Sequence, residues 1–211
     1  MKFYGQFNPP VDQVLYEKYF QNKRNGLFIE CGAYDGLVDS CGKFFEENMG
    51  WKGINIEASP RLFERLLANR ATSFLNLNIA LSNKNGLATF SDIISPSGIA
   101  DGNGSLTHKE IHVEQILKSG CKFKPIEVPT IRFTDLIKEH SITHIDFMAL
   151  DVEGHEIEVI EGMISSPCFP DIMCVEYAFF SLDDIKKPLE TYGYRLDFLK
   201  EANAFFSKIS K

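Results

Sequence analysis

The chain has 211 residues, 44% apolar and 24% charged, which excludes a disordered chain or a fibre and suits a single α/β domain over 1–211. Its net charge of −7 argues against nonspecific nucleic-acid binding, which draws on Lys and Arg, so no nucleic-acid partner is expected. No apolar run reaches the roughly 18 residues of a membrane span, and MKFYGQFNPPVDQ lacks a signal-peptide core, so no membrane partner and a cytoplasmic location are expected.

Residues 1–25 are expected as an N-terminal helical extension. LFIEC (27–31) follows Gly26 as a strand. Ser40 to Met49 reads as a helix with Gly50 at its C′ position. GINIEA (53–58) is a second strand. Ser59 and Pro60 then form an N-cap and N1 pair that opens a helix to about Asn69. SFLNLNIALS (73–82) alternates like one strand, and LATFSDI (87–93) adds another after the turn at Asn85-Gly86.

The segment 95–106, rich in Gly, Ser and Pro, reads as a loop. With the following helix it would form an insertion or lid, 95–125, over a site. Thr107 to Glu110 has the pattern of a capping box for that helix, which Gly120 ends. IEVPTI (126–131) is strand-like but carries Pro129, which suggests a sheet edge. FTDLIKEH (133–140) is helical. IDFMALD (145–151) and DIMCVEYA (171–178) are apolar runs of the kind found in strands buried on both faces, with a helix between them at about 154–163. Ser181 to Asp184 is another capping-box pattern, opening a helix to about Tyr192. YRLDFLK and NAFFSKI close the chain as an antiparallel hairpin. This alternation predicts a mostly parallel sheet with helices on both faces.

In such a sheet ligands sit beyond the carboxyl ends of the strands. The first strand ends in FIECGAYDG, with Glu30, Gly32 and Gly36. The middle glycine of GxGxxG is missing, which disfavours NAD and an oxidoreductase. The pattern suits S-adenosylmethionine, which has no phosphates. The two glycines would let the loop approach the ligand, and Glu30 would receive its ammonium. Glu57 follows Gly36 by 21 residues at the tip of the next strand, the spacing at which a carboxylate meets ribose hydroxyls. LDVEGHE gathers Asp151, Glu153, His155 and Glu156 where a buried strand exits; this could supply a general base or part of a divalent-metal site. Glu176 stands near the end of the next buried strand and is expected to face the site or form an ion pair.

These stretches, together with FFEENMGWKGINIEASP, VPTIRFTDLI and IDFMALDVEGHEIEVIEGM, resemble the FkbM family of S-adenosylmethionine-dependent methyltransferases over roughly 27–180. The resemblance implies the Rossmann-like class I methyltransferase fold, a mostly parallel seven-stranded sheet with helices on both faces and a C-terminal antiparallel hairpin. It also implies O-methylation of a sugar hydroxyl or a natural-product-like small molecule. Position by position it assigns Glu30, Gly32 and Gly36 to the first motif, Glu57 to the ribose, and Asp151 with Glu153 to the acidic motif. The chain departs from the family at Ala33-Tyr34-Asp35, where Ala-Asn is common, and at Ala149, where Lys is common.

The cofactor set expected on these grounds is Glu30, Gly32, Ala33, Tyr34, Gly36, Glu57, Ala58, Asn78 and Asp151, with Tyr34 covering the cofactor and Asn78 approaching the adenine. A hydroxyl acceptor needs a base, and His155 and Asp151 are the candidates, His155 first because imidazole titrates near neutrality. His108 and His112, four apart, do not form HExxH, and no metal ligand is assigned. Phe44, Phe45, Phe63 and Leu66 are expected in the core. Five widely spaced cysteines read as reduced thiols. An alternative reading is a nucleoside-binding or interaction module that keeps this fold without turnover. The sequence leaves the acceptor, the oligomeric state and any metal requirement open.

Overall fold

Four short apolar strands, Leu27–Cys31 (β1), Lys52–Ile56 (β2), Phe147–Leu150 (β8) and Ile172–Glu176 (β9), form the centre of the molecule. Each is buried almost throughout, as a parallel strand covered on both faces must be. The computed structural model describes residues 1–98 and 100–209. Ile99, from the expected 95–106 loop, and residues 210 and 211 lie outside the described residues.

With Leu75–Leu77 (β3), Tyr194–Lys200 (β10) and Asn203–Lys208 (β11) these strands make a seven-stranded sheet of order β10-β11-β9-β8-β1-β2-β3. The five central and β3-side strands are parallel, while β10 and β11 run antiparallel as the closing hairpin. Period-two alternation splits their side chains between two layers. Ile29, Met148, Leu150, Met173 and Val175 join one cluster, packed on the helices Phe133–Glu139 (α5), Glu156–Glu161 (α6) and Leu182–Thr191 (α7). Phe28, Phe147, Ala149 and Cys174 join the other. It packs on Val11–Leu15 (α1), the π-helical turn Tyr16–Phe20 and Lys43–Met49 (α2). Phe147 is the hub of this second layer, with ring contacts to Phe20, Phe28, Phe45 and Trp51.

Helix signals are matched closely in places. Pro60–Asn69 (α3) begins and ends where expected, and the Ser181–Asp184 capping box forms. Gly50 ends α2 at φ 68°. Leu62 and Leu66 are the buried residues of α3, whereas Phe63, expected in the core, is partly exposed.

Other expectations need correction. The alternating stretch 73–82 is two strands, β3 and Ala80–Ser82 (β4), in different sheets. Between them the Asn78 amide donates to the carbonyls of Glu57 and Ala58, and the ladder breaks there. The 95–106 loop contains a strand, Ala100–Ser105 (β6), paired antiparallel with Gly86–Ile94 (β5). Its glycines have packing reasons: a Cβ on Gly104 would lie 2.6 Å from the Phe90 ring, and one on Gly102 would lie 3.3 Å from Tyr34. The Thr107–Glu110 capping box does not form, because Glu110–Lys118 (α4) starts after Lys109 and the Thr107 hydroxyl meets His155 instead.

A second, four-stranded sheet of order β4-β7-β5-β6 results, with Lys122–Arg132 as β7. β7 is therefore not an edge strand. Its Pro129 faces Leu87 of β5 and falls just short of Thr130–Arg132, the part paired with β4, so no β4 partner is denied an N–H.

Replacing Phe147 by Ala should destabilise the fold by about 3–5 kcal/mol, because the ring is fully buried among four aromatic neighbours. Urea denaturation checks this; a loss under about 1 kcal/mol would contradict the packing described.

Candidate active site

A cavity of about 380 Å³ opens at the carboxyl ends of β1, β2 and β8, within the size range of small-molecule sites. Its wall includes Glu30, Gly32, Ala33, Tyr34, Glu57, Ala58, Asp151 and His155 from the expected set. Gly36 and Asn78 are not on it. A Cβ at Gly36 would meet the Arg70 and Leu66 side chains, and the Asn78 amide is spent on two backbone carbonyls. Both act behind the wall. Gly32 is also required by protein rather than by ligand: at φ +85°, a Cβ there would lie 1.7 Å from the Asp151 carbonyl oxygen.

Glu57 fixes the first wall. One oxygen accepts the Tyr34 amide at 2.9 Å and the other the Ser59 amide at 2.8 Å. Burial pushes its pKa up to about 7, opposed by those amides and reinforced by the nearby charge of Asp92. Tyr34 sits at φ 51°, so the amide that meets Glu57 is delivered by a left-handed turn.

Glu30 is committed to protein partners. Its carboxylate accepts the Cys41 amide at 2.5 Å and the Ser40 hydroxyl at 2.9 Å, with the Arg70 guanidinium 3.6 Å away. Burial raises its pKa and Arg70 opposes that rise.

His155, the first candidate base, is braced on both sides. Nε2 pairs with the Ser82 hydroxyl at 3.0 Å and Nδ1 with the Thr107 hydroxyl at 2.9 Å. Burial lowers its pKa below the ordinary histidine value. The ring thus pins the end of β4 and the β6–α4 connection, with each of its nitrogens engaged by a hydroxyl. Asp151 keeps its side chain on the wall, beside Glu153 and Glu176. Burial and the charge of Asp151 push the Glu176 pKa up, and a hydrogen bond links the two carboxyl groups. No ion pair is found for Glu176 among the described residues. One carboxyl oxygen from each of Asp151, Glu153 and Glu176 lies within 4.8 Å of the others, a donor set suited to a divalent cation.

The remaining wall draws on the 95–106 segment and on residues that no sequence motif marks. Phe90 of β5, Gly102 to Gly104 of β6 and Leu106 close one side, and Ile79, Ala80 and Leu81 add an apolar strip. Asn103 is held by both histidines of α4 and its approach: His108 Nε2 lies 2.8 Å from its carbonyl and His112 Nε2 3.2 Å from its side-chain oxygen. The HxxxH spacing therefore serves a wall residue. Gln6 and Val11 from the N-terminal segment also reach the cavity.

A family model described as the methyltransferase FkbM domain matches residues 30–203. The chain therefore belongs to the FkbM methyltransferase family. Among solved structures it is similar to an FkbM methyltransferase from Methylobacillus flagellatus KT, with TM-score 0.58 and 13% identity, covering 94% of this chain and 48% of that one. The chain thus spans about half the length of that protein. A TehB-like SAM-dependent methyltransferase from Corynebacterium glutamicum also aligns, with TM-score 0.47, 9% identity and 94% and 88% coverage of the two chains. No curated protein matches the sequence. The first likeness fits the α/β architecture described above. Among the described residues no helix is long and apolar enough to cross a membrane.

The raised pKa of Glu57 makes a stability prediction. Between its ordinary value of 4.5 and about 7 the folded state holds a proton that the unfolded state releases, so Glu57 favours folding below 4.5 and loses that contribution as pH rises to 7. Glu57→Gln, which cannot ionise, should gain stability relative to wild type across that window. Thermal melts from pH 4.5 to 8 check this, and a pH-independent difference would contradict the buried, titrating carboxyl.

Proposed function

We propose that the chain is an S-adenosylmethionine-dependent O-methyltransferase acting on a hydroxyl of a small molecule or glycan. The observation that carries the reading is Glu57, a buried carboxylate on the cavity wall at the tip of β2. Each of its oxygens is oriented by one amide and keeps a lone pair for a ribose hydroxyl.

Glu30, Gly32, Ala33, Tyr34, Ala58 and Asp151 would complete the cofactor wall, and Ile79, Ala80, Leu81 and Phe90 offer the flat apolar surface an adenine needs. Gly36 and Asn78 contribute by holding that wall in shape. When bound, S-adenosylmethionine supplies an electrophilic methyl group. The chain's own task is to align the acceptor oxygen, exclude water and receive a proton. Asp151 is the residue for the proton, and such a base contributes about 10²–10⁴-fold. His155 braces the wall, with its two nitrogens engaged by the Ser82 and Thr107 hydroxyls. The strand-and-helix segment within 95–125 serves as the cover, since Gly102 to Gly104 and Leu106 form one wall. A reducing compartment suits the five free thiols, so we assign the chain to the cytoplasm.

Calorimetric titration with S-adenosylhomocysteine tests the reading. Glu57→Ala should weaken binding by about 1–3 kcal/mol, the cost of stranding hydrogen-bonded hydroxyls. In wild type, a pKa of about 7 leaves roughly a tenth as much ionised Glu57 at pH 6 as at pH 8, so affinity should fall about tenfold over that range and the Ala variant should lose the step. Unchanged affinity in a folded Glu57→Ala protein would reject the assignment.

A further inference from the structure

Arg70 ends α3 and is among the largest fully buried side chains of the protein. A guanidinium in that setting is costly unless every donor is matched. Here the guanidinium is met by residues from β1, β2, α2 and the loop between β1 and α2. Nη1 donates to the Gly36 carbonyl at 3.0 Å and the Ser40 hydroxyl at 2.8 Å. Nη2 donates to the Asn55 side-chain oxygen at 3.0 Å, and Nε lies 2.7 Å from the Glu46 carboxylate. Nη1 is also 3.6 Å from Glu30.

The partners on the far side of this hub are wall residues. The Ser40 hydroxyl in turn donates a hydrogen bond to Glu30, whose other oxygen accepts the Cys41 amide. Glu30, Val38, Asp39, Ser40 and Cys41 all line the cavity, and Arg70 does not. Arg70 therefore fixes one stretch of wall from behind, through Glu30 and the loop from Gly36 to Cys41. The Glu57 clamp, with its partners Tyr34 and Ser59, shares no residue with this network.

We infer that Arg70 is the positioning residue for the amino-acid end of an adenosyl ligand, holding Glu30 and Ser40 in place while Glu57 independently holds the nucleoside end. This rests on the cofactor reading above. It makes the two ends separable: damage behind Glu30 should be felt by a ligand that carries the homocysteine portion and not by adenosine alone.

The experiment is equilibrium titration of the intact chain with adenosine and with S-adenosylhomocysteine, for wild type, Arg70→Lys and Arg70→Gln, each checked by circular dichroism and thermal melting. Arg70→Gln should weaken S-adenosylhomocysteine by about tenfold or more and adenosine by less than about twofold, since the loss falls on charged hydrogen bonds at one end only. Arg70→Lys should lie between, because a single ammonium cannot satisfy the same fork of acceptors. If Arg70→Gln does not fold, Ser40→Ala provides the test, with the same selective loss at smaller size. Parallel loss of both ligands, or loss of neither, in folded variants overturns the inference while leaving the cofactor reading intact. Wild type that binds neither ligand overturns the cofactor reading and this inference with it.

Discussion

The arrangement depends on one buried carboxylate. Glu57 at the end of β2 accepts an amide from the turn after β1 and another from the start of α3. Removing that acceptor would leave two buried N–H groups unpaired and would release the Tyr34 turn that shapes the cavity. Because β1 and β2 are adjacent and in parallel register, Cys31 beside Ile56, the two turns leave the sheet side by side and one side chain can span them. Gly32 then passes over the Asp151 carbonyl with no room for a side chain, which brings the end of β8 against the same hollow. The site is a consequence of three neighbouring strand ends with small residues where the chains cross.

Around that clamp the wall is assembled from layers that do different physical work. The Arg70 network is polar and buried, and it bonds the 36–41 loop at both Gly36 and Ser40, which favours one geometry for that loop. The second sheet supplies apolar and backbone surface through Phe90 and the glycines of β6. His155 braces that second sheet, joining Ser82 of β4 to Thr107 beyond β6 across one buried ring. The family of methyltransferases to which the chain belongs is matched from Glu30 to Asn203, which takes in all of these layers.

Much of the central sheet was legible in the sequence because burial on both faces leaves a continuous apolar run. LFIEC, GINI, FMAL and IMCV each bury that way. Proline and glycine punctuation placed α3 and the end of α2 for reasons local to the backbone. The second sheet was not legible. Its β6 has the composition of a turn, and the reason for its glycines, the Phe90 and Tyr34 rings, lies elsewhere in the chain. Residues 73–82 keep one alternation through a break made by a single side-chain amide at Asn78. Glu30, Glu57 and Asp151 could be found because each stands at a strand end. Arg70 could not, since Gly36, Ser40, Asn55 and Glu30 lie 15 to 40 residues away and no local pattern joins them. His155 could be found from its spacing after the strand, while the hydroxyls that occupy its nitrogens could not.

A crystal structure of the chain with S-adenosylhomocysteine examines the central claim most directly. The account predicts both ribose hydroxyls on the Glu57 carboxylate, with the Tyr34 and Ser59 amides still in place. Density for the ligand in another hollow, or a ribose held by other groups while Glu57 faces away, would contradict it.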